Sequence, residues 1–446
     1  MAKKLTGIEI YKLLPRTNCG DCGFPTCMAF AMQVAAKKAP LDQCPHVSEE
    51  AKAALGEAQA PPMRTVTIGA GEHAWSVGGE TVLFRHEEKF HRPCALAVRL
   101  GDDLPPGELQ GKVKEASSLR FVRIGQEIGV NLIALEHRGG DFPTAATAAG
   151  EATDLPLLLM CEDPEAMGKA LESCGEGRPL IYAATPENLP AMGELAKEHS
   201  CPLAVRGTGL EELAQLTESL KGMGVEDLVL DPGTRGLLPT LTELVRLRRL
   251  ALEKTFRPLG YPTLALAEAE DSFDVLAQGV AFVCKYASVV VLPPLGPELA
   301  LPILTARQNI YTDPQVPNAI EAKLYEVGSP GPDSPVLVTT NFALTYFTVE
   351  GEVERSKVPA YIAVVDTEGL GVLNAYADDR LTAEKIIKTV KEYGVMERVN
   401  HNKLIIPGLV AVLRMEIQEE SGWEVIVGPE DAAGIPAFLR NEWKPN

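Results

Sequence analysis

Cys201–Asp231 reads CPLAVRGTGLEELAQLTESLKGMGVEDLVLD, and the fold turns on how this stretch is parsed. Apolar runs at Pro202–Val205 and Asp227–Leu230 have the length of buried strands. The amphipathic segment Leu210–Lys221 between them has the length of a helix. Strand, helix and strand within about 30 residues make one parallel βαβ unit.

The unit repeats in both directions. Strands are also expected at Cys94–Arg99, Val130–Leu135, Pro156–Met160, Pro179–Tyr182, Pro262–Leu266 and Ser288–Leu292. Amphipathic segments at Pro164–Leu171, Glu187–Glu198, Leu237–Lys254 and Phe273–Lys285 alternate with them. Eight strand–helix repeats predict a closed (β/α)8 barrel of the TIM type over 93–309, with an open doubly wound sheet as the alternative. Beyond it, 310–334 reads as a proline-rich linker containing Asp313–Pro314 and Val316–Pro317. Residues 335–446 return to the α/β pattern. Strands are expected there at Val336–Thr340, Tyr361–Asp366, Lys403–Ile406 and Glu424–Val427, and helices at Ala383–Tyr393, Leu409–Glu419 and Pro429–Leu439. That is a small doubly wound, Rossmann-like domain. On the amino-terminal side, 58–92 is a connector with short strands expected at Arg64–Ile68 and Thr81–Arg85, and 1–57 is a separate module.

A net charge of −19 argues against nucleic acid as the main partner, because phosphate binding needs clustered Lys and Arg. Residues 1–60 hold seven Lys/Arg against six Asp/Glu, so the negative charge lies downstream. No apolar run is long enough to span a membrane, and the start, MAKKLTGIEIYKLLPRTNCG, reads as cytoplasmic. Nine cysteines suit no disulfide framework in a chain of 446 residues. Cys94, Cys161, Cys174, Cys201 and Cys284 are scattered, as small core residues are.

The other four crowd together. TNCGDCGFPTCMAF…LDQCPHV sets Cys19, Cys22, Cys27 and Cys44 in the spacing Cys-x2-Cys-x4-Cys-x16-Cys. Gly20 and Gly23 let backbone N–H groups approach the sulfurs, and hydrogen bonds there raise a cluster's potential. A helix expected over Cys27–Lys38 points its amino end at the anionic site. This predicts a 4Fe–4S cluster, with a four-cysteine zinc site as the alternative. His46 reads as a surface residue before it reads as a ligand.

TNCGDCGFPTCMAFA, the barrel-like block, and then TTNFALTY, EGLGV, LIIPGLVAVL and GWEVIVGPEDAAGIPAFL together resemble the large (gamma) subunit of the corrinoid iron–sulfur protein. That family serves the reductive acetyl-CoA (Wood–Ljungdahl) pathway of carbon fixation in anaerobes, and is related to the archaeal acetyl-CoA decarbonylase/synthase gamma subunit. The resemblance runs along essentially the whole chain. It implies a corrinoid of the cobalamin type in the C-terminal domain and a heterodimer with a smaller subunit. It implies a methyltransferase-type carrier: cobalt(I) accepts a methyl group from methyltetrahydrofolate through a separate methyltransferase, and methyl-cobalt(III) donates it to acetyl-CoA synthase. The 4Fe–4S cluster would return cobalt(II) to cobalt(I), with a reductive activator as a further partner.

The residues of the last block accord with this. Doubly wound domains bind ligands beyond the carboxyl ends of their strands. Thr339, Thr340, Asn341, Thr345 and Tyr346 follow the first strand, and Gly369, Leu370, Gly371, Val372 and Leu373 the second. Pro407 and Gly408 follow the third, while Gly428, Gly434 and Pro436 flank the fourth. Hydroxyls, backbone and small apolar residues suit a flat, amide-fringed ring, and no phosphate-binding glycine motif occurs here. No Asp-x-His-x-x-Gly motif offers a histidine to cobalt, and His401 reads as a surface or capping residue. No side chain is assigned as general acid or base, since the chemistry belongs to the cofactor.

Two rival readings stand beside this one. The first is an iron–sulfur electron-transfer scaffold without corrinoid. The second makes the barrel a pterin methyltransferase through Glu136, His137, Glu162, Asp163, Arg206 and Asp231, which read first as helix caps and interface residues.

Overall fold

Parallel strands need crossover connections, and the computed structural model, which describes residues 6–35, 39, 43–48 and 61–445, has them throughout. The chain gathers into two compact units: Met1–Phe121 with Ile128–Thr312, and Val122–Glu127 with Asp313–Asn446.

In the first unit a hairpin of β1 (Thr65–Ile68) and β2 (Trp75–Gly78) precedes β3 (Ala95–Gly101). After the helix Pro106–Ser117 comes a second hairpin, β4 (Arg120–Arg123) and β5 (Gln126–Gly129), of which Val122–Glu127 are counted with the second unit. Then follow β6 (Leu132–Glu136), β7 (Leu157–Met160), β8 (Leu180–Ala184), β9 (Leu203–Arg206), β10 (Leu228–Asp231), β11 (Leu264–Leu266) and β12 (Val289–Leu292). Eight strands form one sheet in the order β10-β9-β8-β7-β6-β3-β12-β11, with parallel pairing. A parallel bridge from Leu230 to Thr263 closes the ring between β10 and β11. The barrel alternative therefore holds over the open sheet.

Alternation along each strand sorts the core into two layers. Ala95, Ala97, Leu132, Ala134, Leu158, Leu180, Ala204, Val229 and Val289 fill the lumen. Leu96, Val98, Ile133, Leu135, Leu159 and Val290 face the surrounding helices. Val66, Ile68 and Val77 of the first hairpin join the lumen cluster. That hairpin crosses the amino ends of the strands, where the Gly69 N–H donates to Arg178 O and the Arg64 N–H to Gly260 O.

Two expectations for this region fail. Thr81–Arg85 is no strand; the partner of β1 is Trp75–Gly78, and Arg85 instead donates to the carbonyls of Ile310 and Thr312 at 2.9 Å each. The hairpin β4–β5 went unread because its exposed face lacks an apolar run. Its turn, Ile124–Gly125, has φ of 52° and 66°, the doubly left-handed geometry of a two-residue hairpin loop.

The second unit contains β13 (Leu324–Val327), β14 (Val336–Thr340), β15 (Ala360–Val365), β16 (Lys403–Ile406) and β17 (Glu424–Val427). The sheet order is β13-β15-β14-β16-β17, with β13 antiparallel and the rest parallel. Residues 310–334 are thus no simple linker, since β13 lies within them and pairs with β15. Apolar clusters cover both sheet faces: Val336, Val338, Ile386, Leu404 and Val425 on one, Leu337, Ile362, Ile405, Ile435 and Phe438 on the other. From β14 the chain runs to β15 on one side and later to β16 and β17 on the other, so the topological switch lies between β14 and β16.

One buried cation fastens the amino end of the barrel. Arg307, 5% exposed, donates to Cys94 O at 3.1 Å, to Gly129 O at 2.9 Å and to Asn131 Oδ1, and lies over the Trp75 ring. Replacing it removes a donor from three acceptors, of which Asn131 Oδ1 keeps the Leu96 N–H. Arg307→Met is expected to destabilise the barrel by about 3 kcal/mol, read from urea unfolding followed by Trp75 fluorescence.

Candidate functional site

The helix Gly7–Leu13 starts with a capping box, in which the Glu9 N–H donates to the Thr6 hydroxyl and the Thr6 N–H to the Glu9 carboxylate. It packs on the helix Cys27–Ala35; the rest of the helix expected to Lys38 lies outside the described residues, as does the expected boundary at 57. Cys22, Cys27 and Cys44 are buried in one cluster with Ile10, Leu14, Phe30 and Val34, whereas Cys19 is exposed on the loop. Gly20 and Gly23 have φ of 82° and 79° and turn the backbone between the cysteines. Asn18 brackets the loop: its Oδ1 accepts from the Cys27 N–H at 2.8 Å, and its own N–H points at Cys27 Sγ at 3.4 Å. Gln43 donates to Cys22 O at 3.0 Å, tying in the segment that carries Cys44. All four thiols are free, and a set of soft sulfur donors with N–H contacts fits an iron–sulfur cluster or zinc. His46 Nε2 lies 2.6 Å from the Asp21 carboxylate, and both stand near Cys19 Sγ. The bond from His46, then that from Cys19, holds the Asp21 carboxyl below its usual range.

The second site lies in the C-terminal unit. A cavity of about 380 Å3 opens between the sheet and the helices Ala343–Ser356 and Ile435–Asn441, at the carboxyl ends of β14 and β16. That is the switch point, where α/β sheets bind ligands. Its walls are apolar: Leu337, Val349, Ile405, Leu409, Ile435 and Phe438. Thr339 lines it; the residue is 1% exposed, and its buried hydroxyl has no hydrogen-bond partner.

Of the expected residues, Thr339, Thr345, Gly371, Val372, Leu373, Pro407 and Gly428 line this cavity. Thr340, Asn341, Tyr346, Gly369, Leu370, Gly408, Gly434 and Pro436 do not line it; Asn341 and Gly369 are instead bonded to each other where the loop leaves β15. Tyr346 is a core residue whose hydroxyl donates to Glu350 at 2.7 Å; burial, then that carboxylate, pushes it well above the ordinary phenol range. Thr340 is buried, its hydroxyl also unpartnered. Asn374 and the apolar wall were missed, and only the helical spacing of Thr345 and Val349 could have signalled any of it. His401 is buried, not on the surface. Its ring bonds Ser334 O at 2.9 Å and the Lys403 N–H at 3.2 Å and packs on Trp443, at the amino end of β16.

The barrel's carboxyl face is occupied by its own ion pairs. Tyr182 donates to Asp231 at 2.7 Å, and Arg235 reaches the same carboxylate at 3.0 Å. Arg99 joins Glu268 at 2.6 Å and Glu136 at 3.2 Å, and Arg206 holds Glu162 at 2.6 Å. Asp102 sits 2.6 Å from His137, and Asp163 caps the helix Pro164–Cys174. Burial, then the Asp231 charge, pushes the Tyr182 hydroxyl far above the usual range. Each carboxylate singled out in the sequence here has a cation, a hydroxyl or a helix end as its partner.

The family model described as CO dehydrogenase/acetyl-CoA synthase delta subunit matches residues 65–439, and an Fe-S cluster family model matches 14–46. The corrinoid/iron-sulfur protein large subunit of Moorella thermoacetica is 49% identical over 439 residues, 98% of each chain. The acetyl-CoA decarbonylase/synthase complex subunit gamma of Methanothermobacter thermautotrophicus is 39% identical over 453 residues, again 98% of each. Among solved structures, the 7,8-dihydropteroate synthase of Vibrio fischeri superposes with a TM-score of 0.38 at 13% identity, over 50% of this chain and 94% of that one.

The cavity wall depends on close backbone packing at Gly408. A Cβ there would lie 2.6 Å from Gly428 O and 2.7 Å from Glu430 N, neither of which can swing aside. Gly408→Ala is expected to cost the C-terminal unit about 1–3 kcal/mol, measured by urea unfolding with Trp423 and Trp443 as reporters.

Proposed function

The chain belongs to the family of corrinoid/iron–sulfur protein large subunits, and on that premise we propose that it carries a methyl group between a methyltetrahydrofolate-dependent methyltransferase and acetyl-CoA synthase. When bound, a corrinoid supplies the cobalt that accepts and releases the methyl group, and a 4Fe–4S cluster supplies the electron that restores this cobalt after oxidation. Cys19, Cys22, Cys27 and Cys44 are the residues that hold the cluster. A smaller partner subunit, implied by the name of the Moorella relative, and a reductive activator complete the system.

The observation that carries the reading is the switch-point cavity with Thr339, whose buried hydroxyl has no partner, in its wall. A buried hydroxyl without a partner costs about 1–3 kcal/mol, which a ligand's polar atom would recover. The cavity is at the small end of the roughly 300–1,000 Å3 typical of ligand sites. It would therefore enclose only part of a corrinoid, and Leu373 and Leu409 at its mouth, both at least 40% exposed, would offer apolar surface to the remainder. Asn374 and the backbone at Gly371 and Gly428 offer polar atoms to the amide fringe.

His401 is the single histidine after His199, and its ring is engaged at the opposite end of the sheet. The engaged His401 ring thus offers no free imidazole to a bound corrinoid, and a cobalt without such a nitrogen donor would be easier to reduce. The Asn18 N–H beside Cys27 Sγ tunes the cluster in the same way that hydrogen bonds to sulfur do elsewhere.

Anaerobically purified protein is expected to hold about one cobalt and about four irons per chain, with a cobalt(II) EPR signal free of histidine nitrogen splitting. Four irons without cobalt after corrinoid reconstitution would leave the electron-transfer scaffold instead. Thr339→Val, which deletes one hydrogen bond, is expected to weaken cobalamin binding by about 3- to 10-fold, with the iron content unchanged.

A further inference from the structure

Asn341 directly follows the central strand β14 and is 5% exposed, yet it does not line the cavity. Its side chain is saturated by one loop. Oδ1 accepts from the Thr367 N–H at 2.9 Å and the Gly369 N–H at 2.9 Å, and the Thr367 hydroxyl lies 3.0 Å away. Nδ2 donates to Asp366 Oδ1 at 3.0 Å, and that same oxygen accepts from the Glu368 N–H at 3.0 Å. Two N–H donors facing one atom fix the amide's orientation, because only the carbonyl oxygen can accept from both.

The loop these bonds hold is not one the chain adopts freely. Glu368 and Gly369 are successive left-handed residues, with φ of 56° and 78°. For Glu368 that conformation is unfavourable without support. Across the loop, the Leu370 N–H donates to Thr367 O at 3.2 Å, and Leu370 O lies 2.8 Å from the Thr367 hydroxyl. The loop therefore leaves β15 folded upon Asn341 and delivers Gly371, Val372 and Leu373 to the cavity mouth. At Gly371 a Cβ would already touch Phe342 and Thr345 Oγ1, at 3.5 and 3.7 Å, so the delivered backbone lies close against the next helix.

We infer that Asn341 is a positioning residue for the corrinoid: it touches no ligand, and it holds the Asp366–Leu370 loop so that Gly371–Leu373 meet the bound macrocycle. This rests on the corrinoid reading above. The donors of residues 367–369 are engaged within the loop, so the contribution of this segment to binding is shape, set before the ligand arrives.

The test uses the full chain, freed of corrinoid and titrated with hydroxocobalamin, with the induced circular dichroism of the bound cobalamin as a second readout. Asn341→Ala should weaken retention by about tenfold or more and alter the dichroism, because the loop loses its acceptor. Asn341→Asp keeps the acceptor oxygen while setting a carboxylate against Asp366, and should recover part of both. Wild-type affinity and an unchanged dichroism in Asn341→Ala would overturn the inference. If that variant does not fold, amide exchange in the unliganded wild type decides. Protection of Thr367 and Gly369 comparable to β15 supports the clamp, and exchange at open-loop rates overturns it. Failure of the wild type itself to take up cobalamin would sink the corrinoid reading instead, a result separate from any effect of Asn341.

Discussion

Neighbouring parallel strands cannot be joined by a tight turn, and this constraint governs both units of the chain. Each parallel pair spends a crossover of a dozen or more residues, usually a helix, on returning to the same edge. The carboxyl ends of all the strands then emerge on one side, where loops can differ without disturbing the ladder. In the barrel the strand ends and loops on that side carry Glu136, Glu162, Asp231 and Glu268, and in the C-terminal sheet they carry Thr339, Gly371 and Pro407. The same topology has been put to two uses. The barrel's loops are cross-linked by ion pairs, with the Thr234 hydroxyl left unpartnered among them, while the smaller sheet leaves a hollow and two unpartnered hydroxyls, Thr339 and Thr340.

The contrast is electrostatic as much as geometric. At the barrel mouth, Arg99 and Arg235 stand between carboxylates, and an incoming ligand would have to displace pairs already formed. At the switch point between β14 and β16 no salt bridge among the described residues spans the hollow: its walls are mostly hydrocarbon, with Glu430 as the one carboxylate among the lining residues. A neutral, largely apolar group enters such a site at little electrostatic cost.

What the sequence revealed follows from what leaves a periodic trace. Buried parallel strands are short continuous apolar runs, so Leu157–Met160 or Val289–Leu292 could be read directly. β13 has a half-exposed pattern at a sheet edge, and β2 is four residues ending in glycine, so neither stood out. The four cysteines were legible because their spacing is itself the signal. The loops of the C-terminal site were legible from topology, but the individual side chains were less so. Thr339 and Thr340 are adjacent and alike, and only the pleat decides which one faces the cavity. Val349, Ile405, Ile435 and Phe438 look like any core residues in the sequence, because a cavity is a place where packing stops and no residue type marks it. Asn341 was read as a ligand contact, since a polar residue after a strand can serve a ligand or a loop equally well.

The order of strands in the barrel also bears on how the chain must be made. Around the ring, every neighbouring pair but one joins strands consecutive in the sheet's own sequence order; the exception is β12 with β3, which sets Val289–Leu292 beside Ala95–Val98. Until residue 292 has left the ribosome, the outer edge of β3 has no strand to complete it. A growing chain thus exposes an apolar, unpaired edge through most of the barrel's synthesis, the kind of surface on which nascent chains associate wrongly. The barrel's last strand is its lock, and shortening the chain before it would leave a sheet with an open side.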